Sequence, residues 1–464
     1  MLTGEQYLET LRDGRRVAMD GNFIDDVTDR VSGLGAPAGI VAATYDRLYS
    51  PGSDVVNPVF TIPRTVDELR HRCDLLVAHD VTLSLSAVAM ALLSSSGSLG
   101  EADADAPARI GEWFDRCSSR DVRFAELITD AKGDRMLSPA KQSDPDLYVR
   151  VVDRDSGGVV IRGAKFHITA GPLVHELVVM PTKRMRVGEE DYAIACSVPA
   201  NAPGVVQIVS SHHARHGDPR DKPISTLRAI PDSMVVFDDV YVSSDRVFLD
   251  GDVARSAVVA HSLGLWERLS GVAHMAHLGD ELAGFAQLIA EANGTAGIAH
   301  IKDKIADIVL YATMTRACLE AALGNVRKMP DGMLIPSELY TNAGKLHAAT
   351  NYALMVRHLH DIAGGTVVTA PSFADLDHPE LGPFVRKYLR GTDSASAEHR
   401  LALLHAIHNF SADEWGGREA VSWLQSGGGL FAQRIVTRAH YDMDHAKAIA
   451  MDLAGLGVPE SSWQ

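Results

Sequence analysis

The feature that most constrains this chain is a change of hydrophobic period. Between residues 145 and 258 short β-rich runs alternate with turn residues, while the flanking stretches carry apolar residues at helical spacing. Leu147-Tyr148-Val149-Arg150-Val151-Val152, the turn Asp155-Ser156-Gly157-Gly158 and Val159-Val160-Ile161-Arg162 predict a hairpin. Further runs at Leu177–Met180, Ala193–Val198, Val205–Val209 and Met234–Phe237 extend this to a small barrel or sandwich.

Ahead of this region the pattern is mostly helical. Thr3 with Gln6, and Thr65 with Glu68, are capping-box spacings. The first predicts a helix to about Arg12. The second predicts a helix from Val66 into the apolar stretch Val81–Leu93, ended by Ser94-Ser95-Ser96-Gly97. Another helix is expected over Asp105–Ile128. After the β region, His261–Ala292, Ile298–Lys328, Glu338–Ile362, Ser394–Phe410 and Leu430–Leu456 read as long helices, which suggests an antiparallel bundle. The expected division is therefore 1–144 helical, 145–258 β and 259–464 helical bundle, an α+β arrangement. Gly427-Gly428-Gly429 reads as a local loop.

Composition narrows the function classes. The 464 residues are 46% hydrophobic and 22% charged, which allows two or three globular domains. A net charge of -16 repels phosphates and anionic lipid, so neither nucleic acid nor membrane is an expected partner. No stretch of about 18 apolar residues and no signal peptide is read from the sequence. Cys73, Cys117, Cys196 and Cys318 lie far apart, as expected of free thiols in a reducing cytosol, and no metal site is expected from them.

The chain holds no GxGxxG after a strand, no GxxxxGK[ST], no HExxH and no GxSxG. Candidate chemistry sits elsewhere. Asp130-Ala131-Lys132-Gly133-Asp134-Arg135 reads either as a solvated connection or as a loop offering amides and an Arg to a polar heterocycle. In Arg162–Gly171, small residues would let a planar ligand near the backbone, and Thr169 offers a hydroxyl to a ring nitrogen; His167 there reads equally as a structural residue. Gly364-Gly365-Thr366 reads as a helix C-cap or as a phosphate-contacting loop. His274 and His277 share a helix face and read as buried or interface histidines, or as a metal pair lacking further ligands.

The same segments carry a family resemblance. DAKGDRMLSP at 130–139, Asp144–Leu147, Gly163-Ala164-Lys165, His167, Thr169, His175-Glu176, Met180-Pro181-Thr182, Val236-Phe237-Asp238, Glu267-Arg268, His300–Lys304, Asp361–Gly365 and Ala432-Gln433-Arg434 resemble 4-hydroxybutyryl-CoA dehydratases. Trp415-Gly416-Gly417-Arg418 is instead similar to the 4-hydroxyphenylacetate 3-hydroxylase branch of that flavoprotein family. The resemblance implies an acyl-CoA-dehydrogenase-like fold, a homo-oligomer (tetramer or dimer) and FAD between the β region and the bundle. It implies FAD contacts from Asp130, Lys132, Asp134, Arg135, His167, Thr169, Ala170, Gly171, Gly364, Gly365 and Thr366. Glu126, His167, His274, His277 and Gln425 become candidate catalytic side chains.

Departures from the family set the substrate expectation. The dehydratases hold a four-iron cluster with three Cys and one His; those positions fall on Leu83 and Ala87 and near Ala273 and Asp280 here. Apolar side chains cannot replace thiolates. The hydroxylases use an Arg and a Tyr at the first two positions and a His near Glu126, none of which is kept. Leu83, Ala87 and Ala273 should therefore form an apolar pocket wall for a bulky, largely apolar or aromatic substrate. Three functions compete: a reduced-flavin monooxygenase served by a separate reductase; a non-oxygenating isomerase, dehydratase or cyclase of specialised metabolism; and a non-catalytic binding protein.

Overall fold

A computed structural model describes residues 1–52, 55–211 and 217–456; the end of the expected bundle region, 457–464, lies outside them. The N-terminal part holds α1 (Gly4–Thr10), β1 (Val17–Met19), β2 (Asn22–Ile24), α2 (Gly35–Leu48), α3 (Val66–Ala78), α4 (Ala87–Gly100), α5 (Ala106–Ser119) and β3 (Phe124–Leu127). Then follow β4 (Arg150–Asp155), β5 (Gly158–Thr169), β6 (Glu176–Val179), β7 (Ile194–Pro199), β8 (Val205–Val209), α6 (Ser225–Arg228), β9 (Asp232–Ser243) and β10 (Val247–Asp250). The C-terminal part is helical: α7 (Val253–Ala292), α8 (Ala299–Gly324), α9 (Glu338–Ala363), α10 (Phe373–Asp377), α11 (Gly382–Leu389), α12 (Ala397–Ser411), α13 (Glu414–Gln425), α14 (Leu430–His440) and α15 (Met443–Leu453).

Both predicted capping boxes form, at Thr3/Gln6 and Thr65/Glu68. The predicted hairpin is β4–β5, with Val151 opposite Ile161. Two sheets result, one ordered β2-β1-β8-β9-β5-β4 and one β10-β7-β6-β3. They face each other as a sandwich rather than a closed barrel. Ile161, Val235 and Phe237 of the first sheet share one apolar cluster with Ala125, Leu177, Val179 and Cys196 of the second. Each Val, Leu, Ile or Phe among them, fully removed from water, contributes about 1.5–3 kcal/mol.

Several helical expectations are corrected. The α3 helix stops at Ala78 and a 3-10 turn, Val81–Ser86, separates it from α4. Ser94-Ser95-Ser96-Gly97 does not end α4, which continues to Gly100. The three hydroxyls donate back to carbonyls of Ala91, Ala91 and Leu93, so they are satisfied inside the helix instead of competing with it. The stretch Asp105–Ile128 splits into α5 and the strand β3, because β3 finds a parallel partner in β6. The last expected helix breaks at Tyr441-Asp442 into α14 and α15, and α13 was not anticipated. The segment Val81–Gly100 is also long and apolar enough, by length and composition, to cross a membrane. Here it is a core element: Leu83, Ala87, Val88, Met90 and Leu92 are buried against α7 and the second sheet.

The sheets draw strands from ahead of residue 145. Strands β1 and β2 extend the first sheet and β3 closes the edge of the second. The outer face of the second sheet packs on helices, with Phe124, Val178 and Phe248 in one cluster with Trp113, Trp266 and Leu269. Helices α7, α8 and α9 form the bundle core through Met275, Leu282, Ile308, Tyr352 and Leu359.

Candidate functional site

Strand alternation aims Glu126. In β3, Ala125 and Leu127 point into the sandwich core, while Phe124 points to the helices. A period of two therefore turns Glu126 to the helical side, next to Val178 across the ladder. There its carboxyl meets the start of α4, where the Val88 amide donates to it. Its Oε1 is buried without a hydrogen-bond partner among the described residues.

A second carboxyl joins it from α7. Glu267 shares a helix face with His274, seven residues on, and with Ser270. Burial pushes Glu126 well above the ordinary Glu range, and the neighbouring Glu267 charge pushes it further; the Val88 amide and Arg72 act the other way. Glu267 is also raised by burial, but Arg268, the Gly427 amide and Lys345 oppose that. Two carboxyls this close do not both ionise readily. Glu126, with the weaker cationic support, holds the proton.

Three cations surround the pair. Arg72 is anchored by donation to the Val59 carbonyl at 2.7 Å and Ser86 Oγ at 2.5 Å. Arg268 donates to the Gly427 carbonyl at 2.7 Å and Asn342 Oδ1 at 2.9 Å. Lys345 Nζ donates to the Trp423 carbonyl at 2.6 Å, and burial lowers its pKa to about 8. Gly427, at φ +69°, lets the loop after α13 fold over Arg268; a Cβ there would sit 2.8 Å from Arg268 Cγ. Trp423 Nε1 and Ser426 Oγ are buried without partners among the described residues. Glu126, Glu267, His274, Trp423 and Ser426 nevertheless keep some accessible surface. Such surface, combined with strong desolvation, marks the lining of a crevice.

The three residues expected to form an apolar pocket wall lie in the packed core. Leu83, Ala87 and Ala273 are all buried in the cluster that contains Phe124, Val178 and Trp266. His274 stands at the crevice with its ring 5.7 Å from Trp423 and Nδ1 2.9 Å from the Ser270 carbonyl; burial lowers its pKa. His277 faces away, exposed, 3.4 Å from Glu281, so the two histidines do not act as a pair. Gln425 is exposed at the end of α13 and does not join the buried cluster.

On the sheet side β5 carries two register shifts, one of them between Lys165 and Ile168. The second lifts His167 out of the sheet, exposed and at φ +61°. Thr169 lies opposite Asp232 in β9, with Oγ1 2.8 Å from Asp232 Oδ1. Arg418 of α13 grips the other oxygen, Oδ2, through Nε at 3.0 Å and Nη2 at 2.7 Å, and its guanidinium lies over Trp415 at 5.3 Å. Helix α13 thus carries both the Arg418 contact to β9 and the Trp423 contact to Lys345. Ala170 follows at φ +60°, a conformation that favours glycine. Gly171 does not leave room for a ligand: a Cβ would meet Ser233 Oγ at 2.4 Å and Gln207 Oε1 at 2.6 Å. Its small size serves internal packing.

The charged loop divides into two parts. Asp130 is not presented to a ligand; it is buried in a 2.8 Å ion pair with Lys165 and accepts the Val149 amide. Lys165 also donates to the carbonyls of Ile128 and Met180. Lys132 is half-buried at φ +70°, while Asp134 and Arg135 are exposed. Gln142 braces this loop by bonding the Asp134 amide and carbonyl. Gly364, Gly365 and Thr366 follow α9 beside α12; a Cβ at either glycine would meet nothing within 4 Å, which leaves the backbone approachable.

These features fit a flavin: an open glycine corner, a left-handed turn at a strand end, a Thr hydroxyl at that strand end, and buried polar atoms without partners among the described residues. The roles of Glu267, Lys345, Asp232 and Arg418 were not read from the sequence. Glu267 had one local signal, a carboxyl on the buried face of α7. Among the described residues no group of three or more His, Cys, Asp or Glu could hold a metal.

Comparison with known proteins agrees with this architecture. Residues 3–249 match the family described as 4-hydroxyphenylacetate 3-hydroxylase N terminal, and residues 257–455 match its C-terminal counterpart. The chain is 29% identical to the oxygenase component of the 4-nitrophenol 4-monooxygenase/4-nitrocatechol 2-monooxygenase of Rhodococcus opacus, over 99% of this chain and 92% of that protein. It is 26% identical to the 4-hydroxybutyryl-CoA dehydratase/vinylacetyl-CoA-Delta-isomerase of Clostridium aminobutyricum, over 98% of this chain and 100% of the relative. Among solved structures, a mutant of HpaB complexed with FAD superposes with a TM-score of 0.89 at 25% identity, covering 98% of both chains.

Proposed function

Because the chain belongs to the 4-hydroxyphenylacetate 3-hydroxylase family, we propose that it is the oxygenase component of a two-component flavin monooxygenase acting on a bulky aromatic substrate. What supports this reading is the buried carboxyl pair of Glu126 and Glu267 between the second sheet and α7, beside the tightly packed apolar side chains of Leu83, Ala87 and Ala273. FAD, delivered reduced by a separate reductase, supplies the oxygen-activating chemistry when bound. The residues of the chain do the rest. His167, Thr169 and Ala170 would hold one side of the ring system. Lys132, Asp134 and Arg135 would approach it from the loop after β3, and Gly364, Gly365 and Thr366 would be the approachable corner for the remainder of the cofactor.

Glu126 gives or takes a proton at Oε1, with Glu267 and Arg72 acting on its charge in opposite directions. The apolar wall and the Gly427 loop keep water from the reacting centre. Dehydration by an iron–sulfur cluster is opposed by the same wall, since Leu83, Ala87 and Ala273 carry no donor atoms. A homo-oligomer, tetramer or dimer, is supported by exposed apolar side chains on α14 and α15, among them Phe431, Ile435, Ile449 and Leu453. Three buried free thiols, Cys73, Cys117 and Cys196, suit a reducing cytoplasm.

The test is an isotope experiment. The protein is supplied with FAD, a flavin reductase, NADH and a panel of substituted phenols under labelled oxygen gas. The expected product carries one labelled oxygen atom and forms only when both proteins are present. Label-free turnover, or no turnover across the panel with FAD bound, would overturn the assignment.

A further inference from the structure

Resting on the reading that Glu126 exchanges a proton, we infer that His274 is the relay through which that proton is replaced from solvent, along a hydrated strip between α7 and α13. Between Leu263 and Ala276 every residue of α7 is buried except Glu267 and His274. These two lie on one helix face, two turns and about 10 Å apart. Water therefore reaches α7 at those two points and nowhere else on this stretch. The end of α13 covers the same face. Trp423 lies at the level of His274, with ring centroids 5.7 Å apart. Gly427 lies at the level of Glu267 and gives its amide to that carboxyl. Between these levels Trp423 Nε1 and Ser426 Oγ are buried without partners among the described residues. Buried polar atoms of this kind take ordered water, and each water needs roughly two to four polar neighbours. Glu267, His274, Trp423 and Ser426 supply them, and Glu126 Oε1, also unpartnered, adds one at the inner end. Leu83, Ala87 and Ala273 stay buried beside the strip.

The imidazole is set up to pass a proton on. The Ser270 carbonyl only accepts, so Nδ1, 2.9 Å away, carries a hydrogen. In the neutral ring Nε2 is then a bare lone pair. Burial favours this neutral form, and the His277 and Arg228 charges act the same way; the Ser270 and Leu76 carbonyls favour the protonated ring. A ring pulled in both directions takes a proton at Nε2 and releases it again. One proton enters from solvent at His274, passes through the waters to the Glu267 carboxylate and ends on Glu126. His274 and Glu267 return to their starting states. His277, one turn further along α7, is exposed and faces away, so it takes no part. His274 acts through the two carboxyls and is a positioning residue for their proton.

The test times hydrogen–deuterium exchange of the Glu126 carboxyl in the full chain, with neither cofactor nor substrate added. Infrared spectroscopy follows the C=O stretch of the protonated carboxyl after mixing into D2O, and the band is assigned by its loss in Glu126→Gln. His274→Asn keeps a donor for the Ser270 carbonyl but cannot carry a proton. It should slow the exchange by about tenfold or more, the scale of one hydrogen-bonded link lost, and added imidazole should restore the rate. Trp423→Phe removes one N–H from the strip and should also slow the exchange, which keeps the test open if His274→Asn folds poorly. His277→Gln should exchange at the wild-type rate. Wild-type rates in both His274→Asn and Trp423→Phe overturn this inference alone. Slowing in His274→Asn that imidazole does not relieve makes the ring a packing element and overturns it as well. A protonated-carboxyl band that persists in Glu126→Gln overturns the proton reading of Glu126 and this inference with it.

Discussion

Glu126 and Lys165 show two opposite ways of burying an ionisable side chain. Lys165 is paired with Asp130 and bonded to two carbonyls, so its charge is compensated. Glu126 lacks such a partner and is held protonated by burial and by Glu267. For Lys165→Met, Asp130 is left buried and unpaired, and a loss of about 3–5 kcal/mol is expected. Urea denaturation of this variant and of the double variant with Asp130→Asn checks it; the double variant should recover most of the loss. The Glu126 carboxyl makes a pH prediction. Its folded pKa lies above the ordinary 4.5, so the folded state keeps the proton after the unfolded chain has released it. The associated stability is full below that ordinary value and declines as pH rises toward the folded pKa. Glu126→Gln removes the titration. As pH rises above that ordinary value, its stability should fall less than that of the wild type, while hydroxylation is lost. Parallel stability curves for the two proteins would contradict the assignment of the proton.

Element by element, local signals were legible and non-local ones were not. The capping boxes at Thr3 and Thr65 lie within four residues and could be read directly. The hairpin β4–β5 was equally local. Strand β3 was hidden in a predicted helix because its partner β6 lies about fifty residues later and the pairing is parallel. Strands β1 and β2, three residues each, carry too little pattern, and β1 depends on a parallel pairing with β8. Leu83, Ala87, Ala273 and Glu126 were singled out through family resemblance, and His274 through its place on a helix face. Lys345, Asp232 and Arg418 were not, since their roles arise only when α9, β9 and α13 converge. The bulges in β5 belong to this scale. Gly163 sits at φ +131° with Val149 Cα 2.8 Å and the Tyr148 carbonyl 2.9 Å from any added Cβ. Gly163→Ala should cost roughly 2–3 kcal/mol, from backbone strain and overlap together. Thermal denaturation should show it, together with weakened FAD binding, because the bulge at Gly163 aims the strand that ends in Thr169. An unchanged melting temperature would mean the bulge relaxes freely.

At the scale of the molecule, the proposed function requires three parts to meet at one site. The second sheet supplies Glu126, the first sheet supplies Thr169 and Asp232, and the bundle supplies Glu267, His274, Lys345 and α13. Unfolding any one part should abolish cofactor binding by the others. The outer surface of the sandwich and the α10–α11 region take no part in this arrangement. The most direct test is a crystal structure of the chain with FAD. The account predicts the isoalloxazine ring in the crevice between β5 and α13, in contact with Thr169 and on the side open to Glu126. A ring seated elsewhere, or a crevice filled by protein side chains in the presence of saturating FAD, would contradict it.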